Sequence, residues 1–267
     1  MHIVFLPGWS FGPGVFSELI NNLNRNRPEL KIINVDIYAI NQYHLDSRLR
    51  ANDATAGQDN RAEEPYSLAK TARLLAADLR ELNDELIIIG WSLGGSIALE
   101  LSQDQELKIR QLVLVSSTAK FINEGEYLCG MSPVIARSLR QRVVKDAKSG
   151  LEYFYGLVFS SEGPFYNEIA SSMTPRNDGV GSAIPSTSLL QSLDALYQAD
   201  YRSVLPTTSV PTTIIHGADD SICPLAAAEY LHQNLPSSKL AVIEQGGHIP
   251  FVLKAEAFRK VLLENLC

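Results

Sequence analysis

The chain has 267 residues, of which 30 are Asp or Glu and 23 Lys or Arg, for a formal net charge of -7, so it lacks the concentrated basic footprint that a nucleic-acid partner demands. With 45% hydrophobic and 20% charged residues it has the composition of a globular protein long enough to bury a sizeable core, as one large α/β domain or two small ones. No apolar run reaches the length of a membrane span, and Met1 to Leu6 lacks the basic and long apolar regions of a signal peptide, which excludes a membrane partner and gives a cytoplasmic location as the expectation.

Short apolar runs recur along the chain at 3–6, 32–35, 86–89, 112–115, 213–215 and 240–243. Runs this uniformly apolar predict strands buried on both faces. Between them, Leu68, Ala72, Leu75, Leu79 and Leu82 recur at helical spacing behind Ser67 as N-cap, Ala228, Leu231 and Leu235 repeat the pattern, and a last helix is expected over 255–266. Strands alternating with helices predict a mostly parallel, doubly wound sheet with right-handed crossovers. Two segments interrupt the alternation. A polar stretch at 39–64 reads as a surface excursion, and residues 122–185 read as an inserted helical cap within the single domain 1–267. In that cap Ile135, Leu139, Val143 and Ala147 form one apolar stripe, with Arg137, Arg140, Lys145 and Lys148 on the opposite arc and Arg142 at its border. Cys129, Cys223 and Cys267 are odd in number, far apart and without metal-ligand spacing, which predicts a reducing compartment and no metal site.

The stretch Gly90-Trp91-Ser92-Leu93-Gly94-Gly95 follows an apolar run and precedes helix-forming residues. Glycines on both sides of a serine allow a sharp strand-to-helix turn that holds the hydroxyl out at the sheet edge, where the helix dipole favours negative charge. A serine hydroxyl is a poor nucleophile at neutral pH, so Ser92 needs a histidine to take its proton and a carboxylate to orient that histidine. Of the five histidines, His2 falls at the wrong end of the first strand, His44 in the polar excursion and His232 within a helix. His216 ends a strand beside Gly217, where a structural role and a site role are both open. His248 is the strongest candidate, because it lies on a loop leaving a strand's carboxyl end, where ligands gather in open parallel sheets. On another such loop, Asp219 and Asp220 are both able to face it, or to cap the next helix. For the oxyanion, the expected donors are the backbone N–H of Leu93 and that of Trp9, on the turn after the first strand. The rings of Trp9 and Trp91, with Phe154, Tyr155 and Phe159 of the cap, are candidates to wall an acyl pocket or to pack as core.

Taken together, Leu6-Pro7-Gly8-Trp9, the glycine-flanked serine turn, His216-Gly217-Ala218-Asp219-Asp220-Ser221-Ile222-Cys223-Pro224 and Gly247-His248-Ile249-Pro250-Phe251 resemble the α/β-hydrolase superfamily over nearly the whole chain. That resemblance implies the order Ser92, Asp220, His248 and selects Asp220 over Asp219. Within the superfamily, Gly8-Trp9, Gly90-Trp91-Ser92-Leu93-Gly94-Gly95 and His248-Ile249-Pro250-Phe251 are similar to the carboxylesterases of biotin synthesis that demethylate pimeloyl-acyl carrier protein methyl ester. The resemblance implies a serine esterase without cofactor or metal, acting on an acyl-carrier-protein-linked or small-molecule ester, with Arg137, Arg140, Arg142, Lys145 and Lys148 as candidate carrier contacts; a monomer is the expected state. The chain departs from relatives in carrying Pro7 where many have histidine, in starting its first strand almost at Met1, and in lacking a glycine-rich turn after Asp36. Two other readings of the same residues are a carbon-carbon bond hydrolase or lyase with a different cap, and a non-catalytic ligand-binding protein on this fold.

Overall fold

The structure, a computed structural model, describes residues 1–40, 66–159 and 184–266. Among these, the predicted apolar runs fall in strands, with Val35 of the second run just past its strand's end: β1 (His2–Leu6), β2 (Lys31–Asn34), β3 (Leu86–Trp91), β4 (Ile109–Val115), β5 (Thr212–Gly217) and β6 (Ser238–Ile243). They form one six-stranded sheet in the order β2-β1-β3-β4-β5-β6, and every neighbouring pair is parallel. From β1 the chain steps outward to β2, returns past β1 to β3, and then runs outward the other way. The winding direction therefore reverses between β1 and β3, the place where open parallel sheets bind their ligands, at the carboxyl ends of the strands.

β3 and β5 bury all of their residues, as expected of strands covered by helices on both faces. The expectation of two-sided burial fails for β2 and β6, where Ile32, Ile33 and Leu240 are only partly buried. These are the edge strands, at the rim of the helical layers, so their outer residues are incompletely covered.

Helices α1 (Ser17–Asn26), α2 (Leu68–Glu81), α3 (Leu93–Leu101), α4 (Pro133–Lys145), α5 (Ala147–Val158), α6 (Ser186–Gln198), α7 (Leu225–Asn234), α8 (Pro250–Leu253) and α9 (Ala255–Asn265) cover the sheet and its carboxyl edge. Ser67 caps α2, its side chain accepting from Lys70 N–H, and the helix buries Leu68, Ala72, Leu75 and Leu79. Leu82 falls just past its end and is 37% exposed. The stripe from Ile135 to Ala147 is divided between two helices. Asp146 is extended at φ -160° and ψ 113°, ends α4, and caps α5 by accepting from the N–H groups of Lys148 and Ser149. Ala147 and Lys148 therefore belong to α5, because a short carboxylate that binds the next turn's N–H groups breaks the helix before it. α6 packs beside α4, with the Tyr197 hydroxyl donating to the Ala136 carbonyl at 2.8 Å. The polar segment beyond Ile40, His44, residues 160–183 and Cys267 lie outside the described residues. No helix among the described residues is long and apolar enough to cross a membrane.

α3 presses on β1 so closely that a Cβ on Gly94 would overlap the backbone carbonyl of Leu6, whereas a Cβ on Gly12 would meet nothing within 4 Å. Gly94→Ala is accordingly expected to lower stability by more than about 2 kcal/mol, and Gly12→Ala by less than about 0.5 kcal/mol. Urea titrations of both variants check this; equal losses would show that the close approach is not limiting.

Candidate active site

The site begins at the end of β3. Ser92 sits at φ 53° and ψ -114° as the N-cap of α3, a left-handed conformation that costs a residue with a side chain about 1–3 kcal/mol and persists only where the surroundings over-determine it. Here they do: Ser92 N–H donates to Val115 O at 2.9 Å, and Gly95 N–H donates to Ser92 O at 2.8 Å. The glycines expected around the serine are sterically required, since a Cβ on Gly90 would overlap the backbone of Gly94. Ser92 is thereby held at the positive end of a helix, where developing negative charge is favoured.

Two further strand-end loops interlock beside it. Asp219 N–H donates to Gly246 O at 2.7 Å and Ala218 N–H to Ile243 O at 3.0 Å, and Gly217 lies so close to the Gly246 and Gly247 carbonyls that no side chain would fit. This brings Asp220 and His248 together. His248 Nδ1 lies 2.9 Å from Asp220 Oδ2 and 3.0 Å from Oδ1. Asp220 Oδ1 also accepts from Ile222 N–H at 2.9 Å and Cys223 N–H at 2.9 Å. Asp219 is exposed, and neither aspartate caps α7, whose N-cap is Pro224 without a side-chain bond. With Nδ1–H donated to the carboxylate, the network assigns the lone pair to Nε2. That atom is buried and has no protein partner, so it is available as a base.

Burial by itself would raise the Asp220 carboxyl, but the charge and hydrogen bond of His248, the nearby His216 and the Cys223 N–H outweigh it and hold it below its usual value. His216 is brought to the same carboxylate: its Nε2 lies 2.7 Å from Cys223 O and 3.5 Å from Asp220 Oδ2. Of the two roles left open for His216, the structure displays the hydrogen bond to the loop. Burial pushes His216 below its ordinary value despite Asp220, and burial pushes the Cys223 thiol well up, which leaves that thiol a poor nucleophile. His2 faces Asp84 at the opposite edge of the sheet, and His232 pairs with Ser238 on the surface.

Among the described residues, the backbone N–H groups of Trp9 and Leu93 make no hydrogen bond to a protein acceptor. Trp91 is buried, its ring packed 4.9 Å from Phe11, 5.2 Å from Phe251 and 5.6 Å from His248, and its Nε1 donates to His248 O at 2.8 Å. It supports the histidine loop from the core. Trp9 meets Phe154 edge-on at 4.8 Å, and Tyr155 packs on Phe11 at 5.3 Å, so α5 is joined to the turn after β1. Phe159, at the end of α5, is buried. The described sequence signals missed Tyr38, whose hydroxyl accepts from Ser10 N–H at 2.8 Å; its position just beyond β2, at the carboxyl edge, was the available clue. Among the described residues no group of three His, Cys, Asp or Glu side chains is arranged to hold a metal ion.

The cations of α4 and α5 are exposed but not equivalent. Arg140 is engaged in two hydrogen bonds to Asp194 of α6, at 2.6 and 2.8 Å, and so holds two helices together. Arg142 lies over the Tyr153 ring at 4.6 Å, and Lys148 is 4.0 Å from Glu152. Arg137 and Lys145 form no ion pair among the described residues.

The alpha/beta hydrolase fold family matches residues 1–255. A pimeloyl-[acyl-carrier protein] methyl ester esterase of Neisseria meningitidis serogroup B is 31% identical over 202 residues, covering 73% of this chain and 72% of the relative. One of Aromatoleum aromaticum is 27% identical over 269 residues, covering 99% and 97%. A solved esterase from Exiguobacterium antarcticum superposes with a TM-score of 0.77 at 25% identity, over 99% of this chain and 91% of the other. A sheet wound about a β1–β3 switch point, a strained serine on the turn after β3 and a match along nearly the whole length together make this chain a member of the alpha/beta hydrolase fold family and a carboxylic ester hydrolase.

Proposed function

We propose that the chain is a serine carboxylesterase working through an acyl-enzyme, with Ser92 as nucleophile, His248 as base and acid, Asp220 as the group that orients His248, and the Trp9 and Leu93 amides as oxyanion donors. The observation that carries this reading is the buried Asp220–His248 pair with Nε2 bare, on the same sheet edge as the strained Ser92. In the first step Ser92 Oγ adds to the ester carbonyl while His248 Nε2 takes its proton, and the oxyanion is held by the two amides. Each such donor is worth on the order of 100- to 1000-fold in rate. Collapse breaks the ester C–O bond, and His248 returns the proton to the departing alcohol. Water, deprotonated by His248, then adds to the acyl-enzyme, and the acid leaves as Ser92 regains its proton.

The proposed substrate is a methyl ester of a mid-length acyl chain carried on an acyl carrier protein, in biotin synthesis, as the names of the relatives suggest. In this reading α4 and α5, within the expected cap at 122–185, and α6, which begins just past it, lie over the site, and the carrier docks on α4. There Arg137, Arg142 and Lys145 stand exposed beside Val134, 73% exposed, and Val144, 57% exposed, a mixed basic and apolar face suited to an acidic protein. The reading extends to a monomer in the cytoplasm; free Cys129 and Cys223 are in keeping with a reducing compartment.

Ser92→Ala is expected to lower turnover of a short p-nitrophenyl ester at least about 1000-fold; retention of activity would overturn the nucleophile assignment. The double variant Arg137→Glu/Lys145→Glu is expected to raise KM for a carrier-linked methyl ester about fivefold or more while leaving the p-nitrophenyl ester unaffected, because exposed interface charges act on encounter. Equal effects on both substrates would remove the docking face. Acid also limits the site. His216 is held neutral by burial, below its ordinary value of 6.5, so the unfolded chain binds this proton more readily than the folded one. The stability it contributes is complete above that unfolded value and is lost as pH falls below it, toward the lower folded value. Denaturation midpoints of the wild type are expected to drop between pH 7 and pH 5, and His216→Gln to flatten that drop.

A further inference from the structure

The peptide that carries the Trp9 N–H is fixed from several directions. Its carbonyl, Gly8 O, accepts from Phe11 N–H at 3.2 Å, and in a trans peptide the N–H then points the opposite way. The indole of Trp9 is fixed by Nε1 donating to Leu189 O of α6 at 2.9 Å. The next two peptides are fixed at Ser10: its N–H donates to the Tyr38 hydroxyl at 2.8 Å, and its carbonyl accepts from the Tyr155 hydroxyl of α5 at 3.4 Å. Ser10 holds φ 69°, a conformation suited to glycine, and is buried. Such a residue stays in place only while its neighbours hold it. On α6, Ser192 Oγ donates at 3.1 Å to the same Leu189 carbonyl that receives the Trp9 indole.

We propose that Tyr38, Ser192 and Tyr155 are positioning residues that aim the Trp9 amide at the oxyanion, so that the hole is competent only while α5 and α6 are seated on the turn after β1. This rests on the oxyanion assignment made above. Seating of these helices and transition-state stabilisation then become one event, because the Tyr155 hydroxyl of α5 and the Leu189 carbonyl of α6 hold Ser10 and Trp9 of the turn. The three hydroxyls touch no substrate atom in this scheme. Their loss acts on the rate constant and leaves ground-state binding largely intact.

The test uses the full chain with a p-nitrophenyl butyrate assay and a trifluoromethyl ketone, whose reversible serine adduct carries an oxyanion. Tyr38→Phe is expected to lower kcat on the order of 10- to 100-fold, to change KM less than about twofold, and to weaken the ketone by the same factor as kcat/KM. Tyr155→Phe and Ser192→Ala should behave alike, Ser192→Thr should restore most of the loss, and the Tyr38→Phe/Ser192→Ala pair should cost less than the product of the single losses, since both act through the Trp9 amide. A wild-type kcat in Tyr38→Phe, or a loss that follows the thermal midpoint without any change in ketone affinity, would overturn the proposal. Should Tyr38→Phe fail to fold, Ser192→Ala against Ser192→Thr decides the same question. If Ser92→Ala is inactive while Tyr38→Phe is normal, only the positioning role falls; if Ser92→Ala stays active, the reading of the site falls with it.

Discussion

The Leu6 carbonyl at the end of β1 lies directly against Gly94 in the first turn of α3, and most of the site's geometry follows from that contact. β1 and β3 are hydrogen-bonded neighbours in register, Leu6 opposite Gly90, so the turn leaving β1 and the turn leaving β3 emerge side by side. A side chain at position 94 would lever α3 away from β1 and separate Trp9 from Ser92. The glycine thus acts through the close approach of two backbones, and the strain at Ser92 is sustained by the same packing that buries β3 completely.

A second constraint is electrostatic. Asp220 is buried, and a buried carboxylate is costly unless its oxygens are occupied. Two backbone N–H groups and His248 occupy them, and this satisfaction also selects which nitrogen of His248 is left bare. Stability and chemistry are here served by the same bonds. His216 stands behind the pair, fixed to Cys223 O, and closes the loop that delivers the carboxylate.

Helices α4 to α6 contribute on a third level. α4 and α6 are joined through Arg140 and Asp194, and α5 and α6 reach down to the β1 turn through Tyr155, Phe154 and Leu189. Surface charge on these helices consequently divides into cations that hold the helices together and cations that remain presented outward. Arg140 belongs to the first group and Lys145 to the second.

Local patterns were legible from the residues themselves. The six apolar runs marked the strands, Ser67 marked the start of α2, and the loops bearing Ser92, Asp220 and His248 were recognisable because each joins a strand's carboxyl end to a turn. These features depend on a few consecutive residues, on uniformly apolar runs and on a period of 3.6, which a sequence carries directly. What depended on distant parts of the chain was decided only by the tertiary structure. Ile32 and Leu240 are partly exposed because their strands fell at the edges, and the apolar stripe ending at Ala147 was cut because Asp146 capped the next helix. Trp91 turned into the core, Arg140 was drawn to a carboxylate 54 residues away, and Tyr38 came to face Ser10 across 28 residues. Which partner a ring, a charge or a hydroxyl meets is set by the packing of elements that share no sequence neighbourhood, and no local spacing encodes it.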